Sequence, residues 1–151
     1  MTKANLNNER EQVIFGDDSI VIQKYISGIK GGRTLDMTGY PLKVVKSGSV
    51  VVTKDGVYKP MPLTPKMEGE SGSQTEVKDE NGNTVYVYGS LPSGFSYAGV
   101  LYRTILSENP AASIMTWGEV NGIAVPYPMD TILSAFKTAC PHIDFIKDEE
   151  A

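Results

Sequence analysis

The stretch ASIMTWGEVNGIAVPYPMDTILSAFKTACPHIDFI, residues 112–146, carries the clearest order of structural elements in the chain. Residues 112–120 are strand-like, and Asn121-Gly122 then predicts a turn. Pro126 and Pro128 exclude regular strand pairing. Asp130 is predicted to cap a helix over residues 131–139, and the segment HIDFI after the next proline predicts a short edge strand. The stretch therefore predicts a strand, a late helix and a last strand.

Trp117 is the only tryptophan of the chain and lies inside the first of these strands. Strict alternation places it on one face with Met115 and Glu119. We predict that residues 117–121 are a structural joint rather than a site. Trp117 would pack the strand against the helix, while Glu119 and Asn121 would tie the following turn through hydrogen bonds.

Upstream of this stretch the sequence is also rich in short strands. Residues 42–45, 50–53 and 57–59 are β-branched segments, and Asp55-Gly56 between the last two favours a hairpin. The polar, glycine-rich residues 66–96 predict an exposed hairpin insertion that turns at Asn81-Gly82. An earlier apolar segment predicts a strand in need of a partner, formed by Ile20, Val21, Ile22, Gln23, Lys24, Tyr25 and Ile26.

Composition limits the partners of the chain. Its 151 residues carry 14 Lys and Arg against 18 Asp and Glu, a formal charge of -4, so there is no basic footprint for a nucleic acid partner. No apolar run reaches the roughly 20 residues that cross a bilayer. The polar start of the chain lacks the apolar region of a signal peptide. We expect no nucleic acid or membrane partner.

The residue patterns that usually carry catalysis or cofactors are weak. Cys140 and His142 are two residues apart, but a packed thiol beside a satisfied histidine is the favoured interpretation. Glu108 and Glu119 are expected at opposite ends of a hairpin, too far apart to act on one bond. Residues 79–90 begin like a calcium loop but lack its glycine and its final glutamate. We expect no enzyme activity, no cofactor and no metal site.

These elements define the expected architecture. The chain is expected to be mainly β (α+β), with short strands and one late C-terminal helix. Residues 1–32 would form an N-terminal arm that includes the partner-seeking strand, and residues 33–151 a β-rich domain. The insertion at about residues 66–96 belongs to that domain.

The order and spacing of several segments resemble the head decoration proteins of tailed bacteriophages, the lambdoid capsid-stabilising family. The matching segments span roughly residues 33–146. They are the Ser47-Gly48-Ser49-Val50 strand, the strand from Asp55-Gly56 to Pro60, the Ala98-Gly99-Val100-Leu101 strand, the Gly118-Glu119-Val120-Asn121 segment, and the short helix closed by IDFI. The long strand-like region before residue 33 and the insertion depart from the family pattern.

The resemblance implies a small β-barrel or tulip-like domain and a homotrimer on the outer capsid surface of the virion, made in the cytoplasm of a bacterial host. Its partner would be the major capsid protein, and it would stabilise the expanded shell. The strand over residues 20–26 would then be the capsid-docking strand. A phage head fibre or a host-surface or carbohydrate adhesion module, with Tyr86, Tyr88, Tyr97 and Tyr102 as stacking groups, stays open as an alternative. A small trimeric hydrolase also stays open.

Overall fold

The structure, a computed structural model, describes residues 18–29 and 32–147. Strands greatly outnumber helices, so the prediction of a mainly β chain with a late helix is confirmed. An additional helical turn precedes the first strand. In chain order the elements are α1 (Asp18–Val21), β1 (Ile22–Gly28), β2 (Arg33–Thr34), β3 (Val44–Val45), β4 (Val50–Lys54), β5 (Val57–Pro60), β6 (Leu63–Pro65), β7 (Met67–Glu68), β8 (Thr75–Glu76), β9 (Tyr86–Tyr88), β10 (Ser96–Leu101), β11 (Ile105–Leu106), β12 (Ala111–Ala112), β13 (Ile114–Asn121), α2 (Leu133–Ala139) and β14 (Ile143–Ile146).

One six-stranded sheet organises the chain. Its strand order is β1-β13-β10-β4-β5, and β14 pairs with β13 in parallel beside β10. The other pairs in this sheet are antiparallel. Within the described residues neither this sheet nor any of the four two-stranded ladders closes into a barrel. The expected barrel is therefore corrected to an open sheet, in which β1 and β5 lie at the two ends of the strand order and β14 pairs with β13 alone.

Both faces of the main sheet bury apolar side chains. Val50 and Val52 of β4 face a large core that α2 covers with Phe136. Val51, between them, faces a smaller core that contains Leu35 and Val45. This division follows from the alternation of side chains along a strand. A strand that is buried on both faces is expected to be continuously apolar, which accounts for the run of three valines.

Two predicted turns are confirmed. β4 and β5 form a hairpin in which Asp55 and Gly56 both have positive φ, 50° and 80°, the conformation that Asp-Gly favours. In the insertion, the chain reverses at Asn81-Gly82, where the Asp79 carboxylate accepts hydrogen bonds from the backbone N–H groups of Asn81 and Asn83 at 2.9 Å. The predicted region 66–96 contains the β7–β8 hairpin and β9.

The late helix begins later than predicted. Helix α2 starts at Leu133, and its N-cap, Ile132, makes no side-chain capping bond. The prediction that Asp130 caps the helix is wrong, because the Met129 carbonyl accepts the first backbone N–H groups, from Ile132 and Leu133. The helix is held instead by its apolar face, in which Phe136 is fully buried and packs edge-on against two aromatic rings, those of Tyr97 and Phe145.

The strand predicted over residues 20–26 also needs correction. Ile20 and Val21 belong to α1, and the strand itself begins at Ile22. It is not unpaired, since β1 lies antiparallel to β13 along one of its edges. The strand of the predicted arm is thus part of the main sheet, and the arm's first 17 residues lie outside the described part of the chain.

Candidate docking surface at the open edge of the main sheet

Strand β1 is held tightly against β13. The register pairs Ile22 with Val120, Tyr25 with Gly118 and Gly28 with Met115. Gly118 permits this close approach, because a Cβ at its position would overlap both the Lys24 carbonyl oxygen and the Met115 sulfur. The inner edge of β1 is therefore paired with β13 over most of its length.

A polar anchor fixes the start of β1. The Asp18 carboxylate accepts hydrogen bonds from the backbone N–H of Thr104 at 2.9 Å and from its hydroxyl at 2.6 Å. The Thr104 hydroxyl in turn accepts the Ser47 N–H at 3.0 Å. Thr104 and Ser47 are both buried, so these bonds satisfy polar groups that would otherwise be costly to remove from water. They connect α1 to two distant loops of the domain.

The outer edge of β1 is open. Among the described residues no strand pairs with it, since β1 is the terminal strand of the sheet order. Residues 23–27 are all exposed, including two large apolar side chains, Tyr25 at 43% and Ile26 at 44%. The Tyr25 ring lies 4.5 Å from the ring of Tyr102, which holds it in place. This edge offers main-chain hydrogen-bonding groups beside a fixed apolar surface.

The same edge carries features that discourage uncontrolled pairing. The register of β1 on β13 is interrupted at three places, and Lys24 places a charge in the strand. Irregular registers and lysines on edge strands are the usual protection of soluble proteins against edge-to-edge aggregation. A partner strand must therefore match the shape of this edge, which makes binding selective.

The opposite edge of the sheet is covered. Leu35 forms a parallel bridge with Tyr58 of β5, and the backbone N–H of Asp36 donates to the Tyr58 carbonyl at 2.8 Å. The Arg33 guanidinium lies 5.6 Å from the centroid of the Tyr58 ring. Strand β5 ends at Pro60, which has no N–H to offer. Of the two ends of the strand order β1-β13-β10-β4-β5, the β1 end is the one that has no such cover among residues 18–29 and 32–147.

The structure changes the interpretation of the predicted joint. Trp117 is 49% exposed rather than packed between strand and helix, and its ring lies 5.3 Å from that of His142. The cause is a bulge: Ser27 and Gly28 pair with Trp117 and Met115, so Thr116 is an extra residue that breaks the alternation. Trp117 consequently points away from the core that holds Met115.

The turn after β13 is tied by one of the two predicted side chains. Asn121 is buried, and its carboxamide oxygen accepts the backbone N–H of Ile123 at 3.1 Å. Glu119 lies half-buried opposite Lys24 in the β1–β13 register. Within the described residues its carboxylate makes no hydrogen bond to this turn. Asn121 is thus the residue that shapes the chain reversal.

Cys140 is a packed thiol, as its apolar surroundings predict. It is buried, and its sulfur lies 3.7 Å from the Tyr97 carbonyl oxygen, to which it donates a hydrogen bond. Burial raises the pKa of the thiol to about 11, so the nucleophilic thiolate is scarce at neutral pH. The ring of His142 contacts Trp117 instead. This pair lacks the geometry of a catalytic couple.

The tyrosines considered for ligand stacking do not form one exposed row. Tyr88 is buried, and its hydroxyl accepts the backbone N–H of Val50 at 3.0 Å. Burial raises the pKa of Tyr88 above its ordinary value. Tyr86, Tyr97 and Tyr102 are half-buried against the same large core. Their positions favour a role in packing.

The two carboxylates considered as a catalytic pair, Glu108 and Glu119, lie in different elements. Glu108 is exposed in the turn after β11, while Glu119 lies on β13.

At the calcium-like turn, hydrogen bonds from the backbone N–H groups of Asn83 and Asn81 lower the pKa of the exposed Asp79 carboxyl. Such bonds are typical of a simple surface turn. No group of three His, Cys, Asp or Glu residues in the described ranges is arranged to hold a metal ion.

Sequence reasoning does not identify Asp18, Thr104 and Gly118 as key residues of this edge. Asp18 stands out in the sequence only as part of a strand boundary, and its partner Thr104 is 86 residues away. Gly118 sits inside an apparently regular strand, where an isolated glycine is a signal for a bulge or a close backbone approach. Gly118 is therefore the one residue of these three for which the sequence contains a signal of its structural role.

No helix in the described residues is long and apolar enough to cross a membrane.

Comparison with known proteins found no match to the chain among family models, among curated proteins or among solved structures.

Proposed function

We propose that the protein is a structural component of a tailed-phage virion, which binds the outer surface of the capsid as a homotrimer and stabilises the expanded shell. The open outer edge of β1 is the observation that carries this proposal. In the described part of the chain no strand pairs with the backbone groups of this edge, which lie next to Tyr25 and Ile26 on a strand that β13 holds on its other side. The sequence resemblance to capsid-stabilising proteins supports the same role.

Strand addition is the binding mode that this edge suits. Main-chain hydrogen bonds to a partner strand supply affinity, and the flanking side chains supply fit. The partner would be an edge of the major capsid protein. A trimer would hold three such contacts together, so that each can be weak while the assembly dissociates slowly. The proposed role requires no catalytic residue or cofactor.

The first test is the abundance of the chain in virions. Quantitative mass spectrometry of particles from the phage or induced prophage that encodes the chain should find it in numbers comparable with the major capsid protein. A few copies per particle would favour a fibre or an adhesion module instead. Complete absence from the particles would overturn a virion role.

A matched pair of variants tests the edge itself. Ile26 on β1 and Val57 on β5 are similarly exposed, 44% and 46%, on opposite edges of one sheet. Ile26→Lys should weaken binding to undecorated expanded capsids about three- to tenfold, since covering the exposed 44% of the Ile26 side chain contributes about 0.7 to 1.3 kcal/mol. Val57→Lys should bind like the parent protein. Equal binding by the two variants would remove β1 from the contact.

A further inference from the structure

The chain contains two Asn-Gly steps, and the structure gives them opposite surroundings. Asn81-Gly82 lies at the exposed tip of the insertion, whereas Asn121 is the last residue of β13 and is 1% exposed. The Asn121 carboxamide oxygen accepts the Ile123 N–H. In the described part of the chain the Asn81 carboxamide makes no hydrogen bond. The Asn81 side chain can therefore change its rotamer, while the Asn121 side chain is held in place.

We propose that Asn81 is a site of spontaneous deamidation, while the fold protects Asn121 from the same reaction. The Gly82 backbone nitrogen attacks the carboxamide carbon of Asn81 and forms a new C–N bond. The bond from that carbon to the amide nitrogen breaks, and ammonia leaves with the proton that the Gly82 nitrogen gives up. Water then opens the cyclic imide at either carbonyl and leaves aspartate or isoaspartate. The reaction needs only water and a base such as hydroxide.

The space around each glycine decides whether base and water can reach its nitrogen. Glycine has no side chain to shield the nitrogen. A Cβ at Gly82 would meet no atom within 4 Å, whereas one at Gly122 would meet the Ile146 carbonyl oxygen at 3.4 Å and the Phe145 Cβ at 3.7 Å. The Gly82 nitrogen is therefore open to solvent, while strand β14 covers Gly122.

Both glycine nitrogens donate hydrogen bonds, but the two bonds differ in how readily they open. The Gly82 N–H donates to the Asp79 carbonyl at 3.0 Å in an exposed turn. The Gly122 N–H donates to the Ile146 carbonyl at 2.7 Å, directly after the β13–β14 ladder. An exposed turn opens at little cost in free energy, whereas a segment packed in a sheet opens only with a larger part of the domain. Attack at Asn81 therefore needs only a local fluctuation.

The product is tolerated at one position and not at the other. At position 81 the new carboxylate is exposed to water beside Asp79 and Glu80, whereas at position 121 a charge would be buried at high cost. Isoaspartate also adds a carbon to the main chain, which disturbs the bonds from the N–H groups of residues 81 and 83 to the Asp79 carboxylate. None of these contacts involves the β1 edge, so this inference is independent of the proposed function.

Peptide mapping by mass spectrometry, after incubation of the folded full chain in mildly alkaline buffer, tests the proposal. Deamidation should accumulate at Asn81 at least about a hundred times faster than at Asn121. Asn83 lies in the same turn but precedes Thr84, whose β-branched side chain shields the backbone nitrogen, so Asn83 should stay intact. An intact Asn81, or a rate there no higher than at Asn121 or Asn83, would overturn the proposal.

The same incubation in concentrated urea shows whether the fold causes the difference. In the unfolded chain Asn81 and Asn121 should react at similar rates, because glycine follows both. If Asn121 stayed intact in urea while Asn81 reacted, its local sequence would explain the protection, and the protective role of the fold would be wrong.

A matched pair of variants assigns the reaction to one residue. Asn81→Gln should abolish the formation of isoaspartate in the folded protein, because the longer side chain closes the corresponding ring far more slowly. Asn83→Gln, two residues further along the same turn, should form isoaspartate at the rate of the parent protein. The reverse result would assign the reaction to Asn83 and overturn the proposal.

Discussion

The strands at the two ends of the main sheet order, β1 and β5, have similarly exposed apolar side chains but differ in whether their outer backbone groups are covered. Each edge strand keeps an exposed apolar side chain, Ile26 on β1 and Val57 on β5. The β5 edge is closed by the Leu35–Tyr58 bridge and ends in Pro60. The β1 edge has no such cover among the described residues. The exposure of single side chains therefore does not distinguish the two edges. They differ in whether their outer backbone groups are hydrogen-bonded within the described residues.

The difference also lies in how each edge is anchored. Strand β1 is fixed by long-range contacts, with Asp18 bound to Thr104 and Gly118 pressed against the Lys24 backbone. Strand β5 follows a tight hairpin and is held mainly by its sequence neighbour β4. An edge strand that binds a partner benefits from being held in place beforehand. A mobile strand would lose conformational entropy when it became ordered on binding, and this loss would weaken the affinity.

The largest expected effect tests the support of β1. Gly118→Ala should lower the free energy of unfolding by about 3 kcal/mol or more, because the new methyl group overlaps a backbone oxygen and a packed methionine that cannot both move away. Chemical denaturation with circular dichroism measures the change.

Gly122→Ala is the matched control for this experiment. Gly122 lies four residues further along the chain, and a methyl group there would meet its nearest neighbours at ordinary contact distances of 3.4 Å and more. The substitution also keeps the hydrogen bond from the residue 122 N–H to the Ile146 carbonyl. The stability of this variant should be close to that of the parent. A stable Gly118→Ala protein would show that β1 is not pressed against β13 as described.

A smaller effect is expected at the anchor of β1. Asp18→Ala leaves the buried N–H and hydroxyl of Thr104 without their acceptor, which should cost about 1 to 3 kcal/mol. Asp36→Ala is the corresponding change next to the β5 edge, where the carboxylate accepts only local, exposed bonds from Thr38. If both variants unfold at the same denaturant concentration, the anchors of the two edges are equivalent and the comparison fails.

Local sequence signals predict local structure well. The Asp55-Gly56 and Asn81-Gly82 turns, the valine-rich β4 and the IDFI strand follow from turn chemistry and β-branched side chains alone. What cannot be predicted is which strands meet. The pairing of β1 with β13 joins residues almost a hundred positions apart in sequence, and nothing in either segment specifies the other.

The candidate docking edge is predicted only in part for the same reason. The apolar residues near Tyr25 indicate a strand in need of a partner, but that partner is largely β13 of the same chain. The prediction for Trp117 is wrong because one bulged residue, Thr116, reverses every later side chain. A bulge depends on tertiary pairing and leaves no reliable mark in a single sequence.

The smallest effect should be found at Trp117. A buried aromatic side chain replaced by alanine costs about 3 to 5 kcal/mol, and Phe136→Ala, in the fully buried position on α2, should reach that range. Trp117 is half-exposed and contacts the ring of His142 at 5.3 Å, so Trp117→Ala should lose only about 0.5 to 1.5 kcal/mol. Urea denaturation followed by far-ultraviolet circular dichroism compares the two. A loss at Trp117 as large as that at Phe136 would place the indole back in the core and remove the Thr116 bulge, which is one of the three interruptions in the register of β1 on β13.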